Sequence, residues 1–566
     1  MGNECAYGCT FEEALKWTKA YDDSRLTQYE SARYHGDKRK YDFSNLDLYS
    51  RMYPSLDEIK EHLDGGLDKP LILIEYCHAM GNGPGDLEDY FQMFSKEEKL
   101  CGGFVWEWCD HAIAHGMQGE RTKYYYGGDH GEKIHDGNFC MDGLVYPDRR
   151  PHTGLLEYKN VYRPIRVEGF DAASKTVILR NYMDFTNAKD LVEISFEMIC
   201  DGEKIQSGTI GKVDIKPSET ATIKVPLDIP KKGRVFLKIN YGAVNTDEVI
   251  LPGHSFGFDE LCMENEDSKN QFAALLHAHT SNKPAEFSET DKEICVWGEK
   301  FEYRLDKRTG LFSSLKADGS EQLMRPMEVN LWRAPTDNDM YIKSEWYRAG
   351  YDRTTTRAYS AQVCADADKV TISCRMSVAA EAVQRILNMD TRWTIDGDGT
   401  VTLKMSVEKC PEFPTLPRFG LRLFINKSMN KITYEGMGPY ESYCDKHRAS
   451  WHGIFSDTAE NMHEDYIKPQ ENGSHFDCSW VMAEGDEKCF CVAGGQPFSM
   501  NASVYTQEEL TIKQHNFELV PSEFTVLCID YAQSGVGSNS CGPQLLEKYR
   551  FDESAFDFSI VFSFKH

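Results

Sequence analysis

No stretch of this 566-residue chain holds the roughly 20 consecutive apolar residues that cross a bilayer, and its first residues carry neither the basic nor the apolar segment of a secretory signal. Basic side chains are in deficit. Sixty-three lysines and arginines stand against 90 aspartates and glutamates, a formal net charge of −27, which argues against a polyanion such as nucleic acid as the main partner. Cys-x-x-Cys is missing despite 18 cysteines, so neither zinc nor a disulfide scaffold is expected, and most thiols read as small core residues of a reducing compartment. Internal repeats and low-complexity tracts are absent as well. What is left is a multidomain chain, expected to be cytoplasmic and to have no membrane partner, whose ligands are small polar molecules or other proteins.

Residues 1–165 alternate between helical and strand patterns. The spacing predicts a helix over 10–21, strands over 26–30 and 47–53, a helix over 56–63, a strand ending at Glu75, a helix over 85–100 and a strand over 102–108. Residues 2–4 resemble the tail of one further strand. Such βα alternation specifies a parallel sheet or barrel, here a partial one. From residue 166 the pattern changes to period two, as in Val192-Glu193-Ile194-Ser195-Phe196-Glu197-Met198, with an Asp201-Gly202 turn signal after it. Residues 166–262 therefore read as a small β-sandwich of immunoglobulin-like size, and residues 263–285 as a polar connector around a short helix over 271–279. Residues 286–566 are again strand-rich, long enough for one large β-sandwich.

The most informative segment is Pro70-Leu71-Ile72-Leu73-Ile74-Glu75-Tyr76-Cys77-His78. An apolar run is what a parallel strand covered on both faces requires, and its carboxyl end is where such sheets place chemistry. Glu75 stands at that end, and a second carboxylate, Glu4, lies close to residue 1. Two glutamates on different parallel strands are the minimum set for glycoside hydrolysis with retention, where about 5 to 5.5 Å separates nucleophile from acid/base. The plain alternative is a salt-bridged carboxylate that merely ends a strand.

The neighbouring residues carry a resemblance to glycoside hydrolase family 2, and within it to the large multidomain β-galactosidases. It rests on Gly2-Asn3-Glu4, Met52-Tyr53, Ile74-Glu75-Tyr76-Cys77-His78-Ala79-Met80-Gly81-Asn82, Gly102-Gly103-Phe104-Val105-Trp106-Glu107-Trp108, Tyr126-Gly127-Gly128-Asp129 and Phe139-Cys140-Met141-Asp142-Gly143-Leu144-Val145. It continues through Trp332-Arg333-Ala334-Pro335-Thr336-Asp337-Asn338-Asp339, Gly436-Met437-Gly438-Pro439-Tyr440-Glu441 and Pro469-Gln470-Glu471-Asn472-Gly473. The resemblance implies the carboxyl-terminal half of a (β/α)8 barrel followed by an immunoglobulin-like sandwich and a large sandwich. It implies that Glu75 is the nucleophile, Glu4 the general acid/base, and Tyr53 a donor to the nucleophile. Asn3, His78, Trp106 and Asp142 match substrate contacts, Trp106 by offering an indole face to galactose; Trp108, two residues on, shares its strand face, so one of the two indoles is open to a plain core reading, and only Trp106 carries the family role.

Two ions are implied in the same way: sodium at Phe139 and Asp142, and magnesium beside Glu4, whose remaining ligands lie upstream in the family order. Where some relatives place a tryptophan for the incoming sugar, in the segment Gly535-Val536-Gly537-Ser538-Asn539-Ser540-Cys541-Gly542-Pro543, this chain has Cys541. By the family order the chain begins inside the fourth barrel strand, and an open half barrel exposes strand edges. Little hydrolysis by the chain alone is therefore expected, with the missing strands supplied by a complementing amino-terminal polypeptide or encoded upstream of Met1. Lactose-like β-galactosides are the expected substrates, and a homo-oligomer is the expected assembly. A β-glucuronidase of the same family and a non-catalytic carbohydrate-binding or assembly subunit are the competing expectations.

Overall fold

The computed structural model describes residues 3–33, 38–263, 283–366, 369–486 and 488–565; the helix expected over 271–279 and nearly all of the connector lie outside them. Strands predominate and helices are few and short. The chain divides into two compact units. The first gathers residues 1–155 with 336–341 and 536–547, and the second holds the rest.

In the first unit three strands, β1 (Tyr49–Met52), β2 (Leu71–Tyr76) and β3 (Leu100–Val105), form a parallel sheet in that order. Helix α1 (Cys9–Tyr21) precedes the sheet, helix α2 (Leu56–Asp64) connects β1 to β2, and α3 (Leu87–Phe94) connects β2 to β3. Ser55 starts α2 through a reciprocal capping box: its hydroxyl accepts from the Glu58 amide at 3.2 Å, and the Glu58 carboxylate accepts from the Ser55 amide at 2.8 Å. Alternate β2 residues Leu71 and Leu73 are fully buried, and α3 turns Leu87, Tyr90 and Phe91 inward at helical spacing, with Tyr90 5.3 Å from the Tyr76 ring. The expected helix over 85–100 is thus shorter, because Lys96-Glu97-Glu98-Lys99 leaves it no apolar stripe to continue and β3 begins at Leu100. Both β1 and β3 present an unpaired edge among the described residues, and Trp17, Phe104 and Trp108 are exposed.

One expected strand does not form. Residues 26–29 run without a ladder and pass into a short 3-10 turn, Glu30–Arg33. The physical reason is local: the Thr27 amide is taken by the Asp47 carboxylate at 2.7 Å, and the Thr27 carbonyl accepts the Asp47 amide at 2.9 Å, so its polar groups are satisfied without a neighbouring strand. A hairpin of β4 (Ile113–Gln118) and β5 (Arg121–Tyr125), not anticipated from sequence, follows β3.

The second unit is β-structure throughout its core. A three-stranded sheet (Ile165–Asp171, Thr176–Asn181, Thr220–Lys224) and a four-stranded sheet (Val192–Cys200, Glu203–Gly211, Val235–Ala243, Ser255–Met263) share one apolar cluster around Val177, Phe196, Leu237 and Tyr241. A five-stranded sheet over residues 286–321 and a twelve-stranded antiparallel sheet over residues 323–565 enclose a larger core with Trp346 and Trp393 fully buried. Arg333, also fully buried, donates to the carbonyls of Ser534 at 2.6 Å and Gly535 at 3.0 Å. It therefore joins the chain just before residue 336 to the chain just before residue 536.

A charged cluster is buried in this unit around His452. Its Nδ1 lies 2.6 Å from Glu260 and its Nε2 2.9 Å from Asp477, while Phe236 stacks on the ring at 3.8 Å and Arg234 pairs with Asp477. Burial opposes charging the imidazole, but the hydrogen bonds to Asp477 and Glu260 outweigh it and push its pKa up to about 9. A histidine pKa raised on folding stabilises fully below the unfolded value of 6.5, and that contribution, on the order of 3 kcal/mol, is lost as pH rises through about 9. Urea unfolding at pH 6 and pH 9.5 should therefore show a weaker second unit at the higher pH, and His452→Gln should reduce that difference.

Candidate active site

The site is built at the carboxyl end of the parallel sheet. Register brings Met52 of β1 opposite Glu75 of β2, and the Tyr53 amide donates to the Glu75 carbonyl at 2.8 Å, so the side chains of Tyr53 and Glu75 leave adjacent strands together. Glu75 is only 7% exposed. Burial raises its pKa; the Tyr53 hydroxyl, hydrogen-bonded to its carboxylate, pulls the other way, the charge of Glu4 raises it further, and His78 lowers it. Burial and the same hydrogen bond hold the Tyr53 phenol far above its ordinary range, so Tyr53 is a standing donor. Tyr53, Cys77 and Glu4 adopt left-handed backbone angles, φ 48°, 46° and 53°, a conformation side chains other than glycine rarely take. Three such residues around one carboxylate mark a site whose geometry is imposed by its surroundings.

Beyond β2 the chain turns under β3. The Trp106 amide donates to the Tyr76 carbonyl at 3.3 Å and the Ala79 amide to the Trp106 carbonyl at 2.8 Å, which seats His78, 1% exposed, beside the segment of residues 139–142. His78 Nε2 lies 3.3 Å from Asp142 Oδ2, the same oxygen that accepts from Trp106 Nε1 at 3.1 Å, and the Phe139 ring stacks on the imidazole at 5.3 Å. Trp106 keeps 37% of its surface exposed for a ligand, and Trp108, at 60%, is a second exposed indole rather than a core residue. Asp142 is 4% exposed, and its Oδ1 is buried without a hydrogen-bond donor among the described residues. Beside it, burial and the Asp142 charge push the Glu107 carboxyl up to about 7.

An orphaned, buried carboxylate oxygen fits ligation of a hard cation, as expected for sodium. Magnesium fits less well. Glu4 is exposed, its amide donates to Glu30 at 2.8 Å, and among the described residues no three His, Cys, Asp or Glu side chains converge on a metal position. Asn3 is exposed beside Glu4.

Family models match almost the whole chain. Residues 1–167 match the glycosyl hydrolases family 2 TIM barrel domain, residues 177–264 β-galactosidase domain 4, and residues 297–562 the β-galactosidase small chain. The chain belongs to glycosyl hydrolase family 2. Its similarity is to the family's β-galactosidases: 43% identity to that of Actinobacillus pleuropneumoniae over 99% of this chain and 54% of the relative. The corresponding values are 35%, 100% and 56% for Staphylococcus xylosus, and 31%, 100% and 53% for Kluyveromyces lactis. The chain thus spans about half the length of the curated relatives it matches.

Several of the residues singled out from sequence lie together: Tyr53 contacts both Glu75 and His78, and Trp106, Phe139 and Asp142 gather on the other side of His78. Cys541 also reaches the site, where its thiol meets the Tyr53 hydroxyl and burial, followed by the charges of Glu75 and Glu4, raises its pKa. Sequence reasoning missed a supporting layer. Buried Asp110 accepts from the Gly143 amide at 2.9 Å and pairs with His152 Nε2 at 2.9 Å, while Glu107 and Asp142 exchange backbone contacts that bring residues 107–111 alongside 140–145. A sequence of isolated acids and histidines carries no sign of this pairing. Breaking a buried, hydrogen-bonded pair costs about 3 kcal/mol. Asp110→Ala should destabilise the first unit by that order in denaturant unfolding, and should loosen the segment that carries Asp142.

Proposed function

We propose that this chain carries the catalytic carboxylates of a retaining β-galactosidase acting on terminal, non-reducing β-D-galactose residues of lactose-like sugars. The observation that carries the reading is Glu75, almost out of water at a strand end, with the Tyr53 hydroxyl on its carboxylate and the charge of Glu4 acting on it. In the first step Glu75 attacks the anomeric carbon while Glu4 protonates the departing glycosidic oxygen. In the second, Glu4 takes a proton from water, which displaces Glu75 from the sugar, so the configuration at C1 is retained. Tyr53 orients the nucleophile and offsets the effect of burial, keeping Glu75 ionised. Asn3, His78 and Asp142 supply polar groups to sugar hydroxyls and Trp106 an aromatic face. Phe139, through its carbonyl, and Asp142 would hold a sodium ion, which supplies a positive charge for substrate oxygens. No step is assigned to magnesium.

The same reading gives the domain plan: a partial barrel over 1–165, an immunoglobulin-like sandwich over 166–262, a connector over 263–285 and a large sandwich over 286–566. The unpaired edges of β1 and β3 and the exposed Trp17 and Phe104 support a complementing amino-terminal polypeptide that adds barrel strands, with a cytoplasmic homo-oligomer as the working assembly.

Trapping with a 2-deoxy-2-fluorogalactoside bearing an activated leaving group tests the assignment: the leaving group departs as Glu75 forms an ester to C1. Mass spectrometry of the complemented enzyme should find the adduct on Glu75, and Glu75→Gln should abolish it while lowering kcat/KM by about 1,000-fold or more. An adduct on any other residue, or full activity in Glu75→Gln, would overturn the reading. Tyr53→Phe removes a group that lowers the Glu75 pKa, so the acid limb of the kcat/KM profile should move to higher pH.

A further inference from the structure

Two segments far along the chain, residues 336–341 and 536–547, belong to the first unit, and each contributes one buried polar side chain to a run of hydrogen bonds that ends at His78. Ser540 Oγ lies 2.8 Å from His78 Nδ1 and 2.8 Å from Asn338 Oδ1. Asn338 itself is fixed from both sides. Its Nδ2 donates to the Asn82 carbonyl at 3.2 Å, and its Oδ1 accepts the Ser540 amide at 3.1 Å.

These bonds settle the direction of the relay. With the amide of Asn338 oriented by Asn82, its Oδ1 can only accept, so the single hydroxyl proton of Ser540 points to it. The free lone pair of Ser540 then accepts from His78 Nδ1–H, and the Nε2 edge, 3.3 Å from Asp142 Oδ2, hydrogen-bonds that carboxylate only when Nε2 carries a proton as well. The approach of Asn338 is close. A Cβ on Gly83 would stand 2.5 Å from its Nδ2, so glycine at 83 gives the amide room to reach Asn82. Around this relay, Ser538 Oγ donates to Asp86 Oδ2 at 2.8 Å, the Gly85 amide donates to the Gly537 carbonyl at 2.9 Å, and Asn138 Nδ2 donates to Asp337 Oδ1 at 2.8 Å. Both segments are thereby held along the β2–α3 turn.

We propose that Asn338 and Ser540 are positioning residues that act together through His78, fixing its ring angle through the hydrogen bond at Nδ1 so that the Nε2 edge is turned toward the sugar side of the site. The consequence for sugar recognition rests on the β-galactosidase reading; the orientation of His78 does not. Neither residue touches Glu75, so their loss should weaken substrate positioning and leave the nucleophile intact.

Histidine C2-hydrogen exchange, followed by mass spectrometry on the full chain, reads the ring directly and needs no activity. In Ser540→Ala and in Asn338→Ala, the His78 exchange rate should rise by about threefold or more, with the melting temperature and the exchange of buried His152 unchanged. Ser540→Thr, which keeps the hydroxyl, should hold the parent rate. A parent-like His78 rate in either folded alanine variant would overturn the proposal. In the complemented enzyme, kcat/KM for an aryl galactoside should fall by about tenfold in Ser540→Ala, mostly through KM, while Glu75 is still trapped. Failure of Glu75 trapping with a faster His78 exchange would sink the galactosidase reading and leave the positioning role standing.

Discussion

A carboxylate almost removed from water is the constraint around which the first unit is organised. Burial is the largest influence on Glu75, and it acts against the charge of the carboxylate. The proposed role as nucleophile needs that charge. The parallel register of β1 with β2 answers this by bringing the Tyr53 hydroxyl onto the carboxylate, and the turn after β2 answers it a second time by placing His78 nearby. The left-handed backbone at Tyr53 and Cys77 is the local cost of both arrangements, and it is sustained because the flanking strands are pinned on either side.

The groups around Glu75 are themselves held by others. His78 and Trp106 share one oxygen of Asp142, and the Asp142 turn is held in place by Asp110 through Gly143. This layering matters because a side chain that binds a sugar hydroxyl is useful only if its own position costs nothing to maintain when the ligand arrives. Within the second unit, buried Arg333 ties two distant stretches of chain together through the carbonyls of Ser534 and Gly535.

How much of this could be read from the amino-acid sequence depends on the range of the interactions involved. The strand ending at Glu75 was legible because a covered parallel strand must be apolar on both faces, and the capping box at Ser55 and the inward stripe of α3 are local patterns as well. The apparent strand over 26–30 failed for a reason propensity cannot express: an aspartate side chain 20 residues away, Asp47, takes the place of a ladder partner. Sequence left open which of Trp106 and Trp108 was a core residue, because a shared strand face does not decide whether anything packs on it; both indoles are exposed. Asn338 and Ser540 sat inside conspicuous segments, yet serine and asparagine in loops have many local uses, and nothing nearby in sequence points to His78.

The sequence separation between His78 and Ser540 is 462 residues, and it bears on how the protein is made. At synthesis rates of roughly 5 to 20 residues per second, His78 leaves the ribosome about half a minute to a minute and a half before the hydroxyl that accepts its Nδ1 proton. During that interval the apolar strands β1 to β3 can pair, since their contacts are close in sequence, and Tyr53, Phe139 and Asp142 can gather around the ring, but its Nδ1 has no partner. The hydrogen bond that completes the surroundings of His78 is therefore among the last that this chain can make in biosynthesis.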